Sequence, residues 1–209
     1  MLLSLNRHYS KYDLMMHPDT EVRFINDVVG YGVVAKKFIP RGTITWVQDD
    51  LDQLLTENEM EKMHPDVQEQ VEKYCFRNNK GQLVLCWDLA KYVNHSFNAN
   101  CLSSAYDFEV AVRDIEPGEQ LTDDYGYLNI SEPFKAVDEG TGRDTVYPDD
   151  LLKYHEKWDR QLEGAFENFE QVEQPLIKLV SSAVLEKIKL SLAKNEPLDS
   201  ILNLYYEEK

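Results

Sequence analysis

A turn that couples proline to glycine occurs twice in this chain, as Ile39-Pro40-Arg41-Gly42 and as Ile115-Glu116-Pro117-Gly118. Proline fixes φ and glycine accepts the angles that a tight reversal needs, so each turn ends one extended run and begins another. The flanking segments agree. Glu21 to Ile25 alternates charged and apolar residues, and Gly30 to Ala35 resumes an extended pattern. Thr43 to Val47 is β-branched and aromatic, and Gln120 to Asp124 predicts a further strand. No longer internal period accompanies the turns, so they read as local chemistry and not as a repeat architecture.

Other stretches follow helical spacing. In the acid-rich segment Asp49 to Tyr74, Leu51, Leu54, Leu55 and Met60, then Val67, Val71 and Tyr74, recur at helical intervals. Pro65, permitted at a first helical position, divides it into two short helices. Arg77-Asn78-Asn79-Lys80-Gly81 predicts a hairpin turn into Gln82 to Cys86, and Asp88 to Tyr92 a short helical turn. From Tyr147 the pattern is wholly helical. Leu151, Leu152, Tyr154, His155 and Trp158 share one face, continued by Leu162, Ala165, Phe166 and Phe169. A second helix is expected from near Pro175 through Leu192, and a last short one from Pro197 through Tyr205. The expectation is an α+β protein: a mainly β unit over residues 1–130 with an acidic helical insert at 49–74, then a helical segment over 131–209. The boundary falls in the Gly/Thr/Asp-rich stretch Asp138 to Asp144. The apolar C-terminal helices, Leu176 to Leu204, are candidates for pairing with a second copy.

Charge narrows the partners. The 209 residues carry a formal net charge of −16. Such a surface repels phosphate backbones, which argues against nucleic acid, and attracts basic proteins; a face that is merely well solvated is the alternative. No apolar run approaches the roughly 18 to 20 residues of a membrane span. The opening Met1-Leu2-Leu3-Ser4-Leu5 is too short for a signal-peptide core, so secretion is not implied. Cys75, Cys86 and Cys101 are odd in number and widely spaced, which suggests free thiols in a reducing cytoplasm and no zinc site. The expected location is therefore cytoplasmic, or nuclear if the source is eukaryotic. Asp49-Asp50-x-Asp52 lacks the spacing of a calcium loop, so no metal is expected.

Three segments carry the candidate chemistry. Gly30-Tyr31-Gly32 beside a strand lets the backbone approach a ligand, although alone it reads more readily as a plain hairpin turn. AKYVNHSFNANC (Ala90 to Cys101) holds Asn94-His95-Ser96. Its amide offers both a donor and an acceptor, and its imidazole can hold a fixed ring proton, which suits a purine or ribose rim. IEPGEQLTDDYGYLN (Ile115 to Asn129) ends in Asp124-Tyr125-Gly126-Tyr127. In this order, and with VVAKKFIPRGTITW after the glycines, the segments resemble the SET-domain protein methyltransferases.

The resemblance implies a β-clip fold with a pseudoknot and transfer of a methyl group from S-adenosylmethionine to a lysine of a basic protein. It places Gly30, Tyr31, Gly32, Asn94, His95 and Tyr125 at the cofactor. Tyr125 becomes the catalytic residue beside the methyl, and Tyr127 and Asp123 become parts of the substrate channel. The acidic insert becomes one wall of the substrate groove. The chemistry needs a nucleophile: a free lysine has pKa about 10.4, so deprotonation at pH 7 costs about 4.6 kcal/mol, which burial beside a sulfonium reduces. Three features depart from the family. Asp123 stands where many relatives carry Phe or Tyr. Ala99 stands where proline is frequent. Ala136, Asp138 and Arg143 stand where a C-x-C-x4-C zinc cluster would fall, which leaves Trp158, Tyr147 or Phe134 as candidates to close the pocket, with a place in the helical core the favoured alternative for each. The missing cluster keeps a second reading open, a catalytically inactive SET-fold module that binds a protein partner. A hydrolase has no support, because no nucleophile-elbow pattern is present.

Overall fold

Asn26 begins the architecture by accepting hydrogen bonds on its side-chain oxygen from the N–H groups of Val28 and Val29, both at 2.9 Å. That Asx turn, with Gly30 at φ +79°, folds β1 (Thr20–Asn26) back on β2 (Gly30–Ala35) as an antiparallel hairpin. The computed structural model describes residues 16–207, so the opening Met1 to Leu5 lies outside the described residues. The two proline–glycine turns lie back to back. Ile39 and Ile115 exchange both backbone hydrogen bonds, at 3.0 and 2.9 Å. Gly42 and Gly118 take φ +91° and +90°, angles that residues with a Cβ resist.

After β3 (Ile44–Val47) the expected pair of short helices divided at Pro65 is present, but the first is confined to its last turn. Residues before Pro65 form β4 (Gln53–Leu55) and one helical turn, α1 (Glu57–Met60); only α2 (Pro65–Tyr74) is a helix of length. The reason is local. Asp49 and Asp52 accept from nearby backbone N–H groups, and also from the indole and backbone of Trp87, so the helix is replaced by a turn. Leu54 and Leu55 then pair across a sheet with Val84 and Leu83. Thr56 and Glu59 form a reciprocal capping box that starts α1. β5 (Cys75–Arg77) and β6 (Leu83–Leu85) complete a sheet of order β4-β6-β5 around the expected hairpin.

A 3-10 turn at Leu89–Tyr92, capped by the Asp88 carboxylate, leads into β7 (Asn94–His95). β8 (Cys101–Ser103) and β9 (Phe108–Ala111) join β3 in a sheet of order β3-β9-β8. β10 (Thr122–Asp123), shorter than the strand expected over 120–124, pairs in parallel with β7. A second 3-10 turn, Tyr125–Tyr127, follows at once. β11 (Phe134–Lys135) and β12 (Thr145–Val146) form a small hairpin ahead of α3 (Asp150–Phe166). The single helix expected from Pro175 through Leu192 is divided. A 3-10 turn, Ile177–Leu179, ends at an extended Val180, and Ser181 caps a new helix, α4 (Ser182–Lys194). A 3-10 turn at Ile201–Leu204 follows. The fold is mixed α+β, with the strands preceding the long helices.

Two buried clusters hold these elements. The larger joins Ile44, Leu102, Phe108 and Val110 of the β3-β9-β8 sheet to Trp158, Leu162 and Phe166 of α3 and to Ile188 of α4. Trp158 is 1% exposed, and truncation of such a side chain costs about 3–5 kcal/mol. Leu176, Val180, Ile188 and Ile201, whose apolar pattern suggested a pairing surface, are buried in this same core. The smaller cluster sets Val33, Ala35, Ile39 and Trp46 against Val93, Cys101, Ile115 and Leu121, directly beneath the three motif segments. Among the described residues, no helix is long and apolar enough to cross a membrane.

Candidate active site

The register of β7 against β10 sets Asn94 beside Thr122 and His95 beside Asp123. Two motifs separated by more than twenty residues thus meet in one two-stranded ladder. Asn94 donates from Nδ2 to the Tyr31 carbonyl at 3.1 Å and to Gln120 Oε1 at 3.0 Å, which ties the glycine turn to β10. The closeness explains Gly32: a Cβ there would stand 2.7 Å from Asn94 Nδ2. Buried Asn100 steadies the other side of β10, donating to the Gln120 carbonyl at 2.7 Å and accepting from Thr122 N–H at 2.8 Å.

His95 and Tyr125 are joined directly. The Tyr125 N–H donates to His95 Nδ1 at 3.1 Å, so the ring proton of the neutral imidazole sits on Nε2. That Nε2 is buried and finds no partner among the described residues. The ring is enclosed by Phe97, Tyr125 and Phe134, with centroids at 4.4, 5.4 and 5.5 Å. Burial pushes its pKa below the usual histidine value, against the upward pull of Asp124. The Tyr125 hydroxyl donates to the Val93 carbonyl at 2.6 Å, and burial raises its pKa, so it stays protonated.

A cavity of about 620 Å³ has Tyr125 in its wall and neither His95 nor Asn94. Trp46, Phe76, Val93 and Leu128 give it apolar walls, while Glu109 and Asp123 contribute two acids. Burial is the main cause raising the pKa of each acid, and each acts on the other through a hydrogen bond. Asp123, expected at the channel, therefore lines this cavity. Tyr127, also expected there, does not. It is 1% exposed, packs edge-on against Trp158 at 5.6 Å and accepts from Ser103 N–H at 3.4 Å, because the 3-10 turn after Tyr125 rotates it inward. Gly30, Tyr31, Gly32, Asn94, His95 and Tyr125 form one contiguous set. Within it Tyr31 is 56% exposed, edge-on to Phe24 and Tyr92.

Residues that sequence reasoning passed over hold the next segment in place. Arg143, which the resemblance set against a zinc-binding cysteine, forms ion pairs with Asp124 and Asp150, the latter at 2.7 Å. Its guanidinium lies over Phe97 and Tyr154, at 4.4 and 4.3 Å from their centroids. Burial opposes its charge, but the two carboxylates outweigh that and raise its pKa. Glu139 accepts from Ser96 Oγ at 2.6 Å and from Asn98 N–H at 3.2 Å. Of the three aromatics named for closing the pocket, Phe134 lies against both His95 and Tyr125. Trp158 belongs to the core, and Tyr147 is 45% exposed. An isolated acid in the apolar strand FEVAV was the available sequence signal for Glu109; Arg143 has no local signal at all.

Residues 30–126 match the family model described as SET domain, which is consistent with a SET-domain protein. No curated protein matches the chain. The domain is generally associated with transfer of methyl groups from S-adenosylmethionine to lysine.

Proposed function

We propose that the protein transfers a methyl group from S-adenosylmethionine to a lysine side chain of a basic protein or peptide. The observation that carries this is the double placement of Tyr125. Its backbone is held by His95, and Tyr125 also lines the cavity. The residues present fit the cofactor. Among the described residues, His95 Nε2–H is a buried donor with no partner, and nothing lies within 4 Å of where a Cβ on Gly30 would stand. The Gly30–Gly32 backbone, Asn94 and His95 would hold it. When bound, S-adenosylmethionine supplies a methyl group on a sulfonium, whose leaving group departs neutral.

The chain's own part is positioning and deprotonation. Because the hydroxyl proton of Tyr125 is engaged by Val93, its oxygen offers lone pairs to an N–H in the cavity and so orients the amine. Apolar walls disfavour an ammonium and favour the free amine. The acid-rich surface, at −16 overall, favours basic substrates.

Incubation with tritiated cofactor and mixed basic proteins, followed by mass mapping of the labelled lysine, tests the reading. Label on lysine that disappears with Tyr125→Phe is the expected result. No measurable cofactor binding by equilibrium titration would overturn it in favour of a binding module. His95→Ala should weaken cofactor binding about tenfold or more, and an unchanged Kd would remove His95 from the site.

A further inference from the structure

Glu109 sits at the centre of β9, opposite Trp46 on one side and Ser103 on the other, where an apolar residue would serve the sheet better. It is 4% exposed, and Asp123, which shares the cavity wall with it, is 8% exposed. The groups facing the two acids are Thr45 from β3, Cys86 from the segment after β6, Cys101 from β8, and Tyr125, Tyr127 and Asp124 from the turn after β10. The Thr45 hydroxyl donates to Glu109 at 2.5 Å. Asp123 Oδ1 has no donor among the described residues. Lys73, Arg77, Lys91, Glu72 and Glu132 line the same cavity, yet among the described residues no ion pair joins a cation to either acid. Two carboxylates in contact, buried and without a cation, cannot both stay ionised, so they share one proton.

Resting on the methyltransferase reading, we propose that Glu109 and Asp123 form the seat of the substrate nitrogen and take the proton that a lysine ammonium must lose. The step balances. One N–H bond of the ammonium breaks, its electron pair stays on nitrogen as the lone pair, and the proton forms an O–H bond on the acid pair. The singly protonated pair becomes doubly protonated and neutral, and the ammonium becomes a neutral amine. Two opposite buried charges are thereby removed at once, which a low-dielectric cavity favours. Burial already raises the affinity of both acids for protons, in the direction the transfer needs. The pair is one proton short of neutrality, so the fitting ligand is one that can release a proton. A primary amine does so; a guanidinium does not.

The test uses the full chain without cofactor, titrated by NMR with n-butylamine as the lysine side-chain mimic, and with n-butylguanidine and n-pentanol as controls. The amine should bind about tenfold or more tighter than either control at pH 8. Its affinity should fall as the pH is lowered and the pair fills with protons. With ¹⁵N-labelled amine, the bound nitrogen should carry the shift of a neutral amine. Glu109→Gln and Asp123→Asn should each weaken amine binding about tenfold, equivalent to about 1.4 kcal/mol. Absence of amine binding, equal binding of the alcohol, preference for the guanidine, an ammonium shift in the bound state, or unchanged affinity in both variants would each overturn the assignment. Should either substitution prevent folding, the three-probe comparison and the nitrogen shift on the wild-type protein decide alone. Amine selectivity without methyl transfer retains the seat and removes the enzyme reading; methyl transfer without selectivity does the reverse.

Discussion

The Tyr125 hydroxyl donates its only proton to Val93, so removing it has two separable effects. Tyr125→Phe leaves the Val93 carbonyl without its 2.6 Å partner, a loss of about 1 kcal/mol in stability. It also removes the oxygen that orients the amine. Methyl transfer should fall by about a hundredfold or more in kcat, an orientation effect, while cofactor affinity stays near wild type, because His95 is held by the backbone N–H and not by the ring. Single-turnover kinetics with a parallel cofactor titration check both halves; unchanged turnover would end the assigned role. The buried acids make a second prediction at this scale. Asp123 and Glu109 have folded pKa values raised above the ordinary 3.8 and 4.5. The folded state then binds more protons than the unfolded one, so their contribution to stability is full below those ordinary values and is lost as pH rises through the folded ones. His95 acts in the opposite sense: its lowered pKa costs stability as pH falls through about 6.5. Asp123→Asn should therefore raise the thermal midpoint relative to wild type at pH 8 and give no gain at pH 4. An equal gain at both pH values would show that charge is not the cause.

Between elements, the decisive contact is Arg143. It links the turn bearing Tyr125, through Asp124, to the start of α3, through Asp150, and thereby fixes the 131–149 segment where Phe134 and Glu139 meet the Asn94-His95-Ser96 loop. Arg143→Met leaves two carboxylates buried without a cation and should cost about 3–5 kcal/mol. Hydrogen exchange should accelerate over residues 131–149 while the β3-β9-β8 sheet stays protected. Arg143→Lys keeps the charge but loses the fork that serves two acids, and should fall between. Uniform acceleration across the whole chain would mean that the clamp is only part of global stability. This contact also marks the limit of what the sequence discloses. The extended runs on either side of Asn26 to Gly30, the two proline–glycine turns and the meeting of Asn94-His95 with Tyr125 were readable, because turn chemistry and motif order are local or follow the resemblance. The acid-rich segment was misread as helical over Leu51 to Leu55 because leucines at Leu51, Leu54 and Leu55 satisfy helical spacing and strand pairing equally well. Its Asp49 and Asp52 side chains decided the matter by capturing Trp87, a tertiary contact. Arg143 gains its meaning only from partners brought to it by the fold, and Tyr127 lost its expected place to a 3-10 turn that no pattern announced.

At the scale of the whole molecule, net charge of −16 spreads over a surface whose acids are unevenly placed. The insert carries exposed Glu61 and Glu69 beside the cavity-lining Glu72, while Glu170 and Glu186 lie exposed among the C-terminal helices. If the insert guides a basic substrate, position matters as well as sum. Long-range attraction acts over the Debye length, about 30 Å at 0.01 M salt and about 8 Å at 0.15 M, so steering survives only at low salt. For a peptide with basic flanks, kcat/KM should fall about tenfold between those conditions with kcat unchanged, whereas a neutral-flanked peptide bearing the same lysine should respond little. Replacing Glu61 and Glu69 by lysine should remove most of the low-salt advantage. The same charge change at Glu170 and Glu186 should remove much less, since those positions belong to the helical segment and not to the element beside the cavity. Measuring kcat/KM for both peptides with both double variants at two salt concentrations separates the cases. Equal losses from the two replacements would assign the attraction to total charge, and the acidic insert would then be a solvated face like any other.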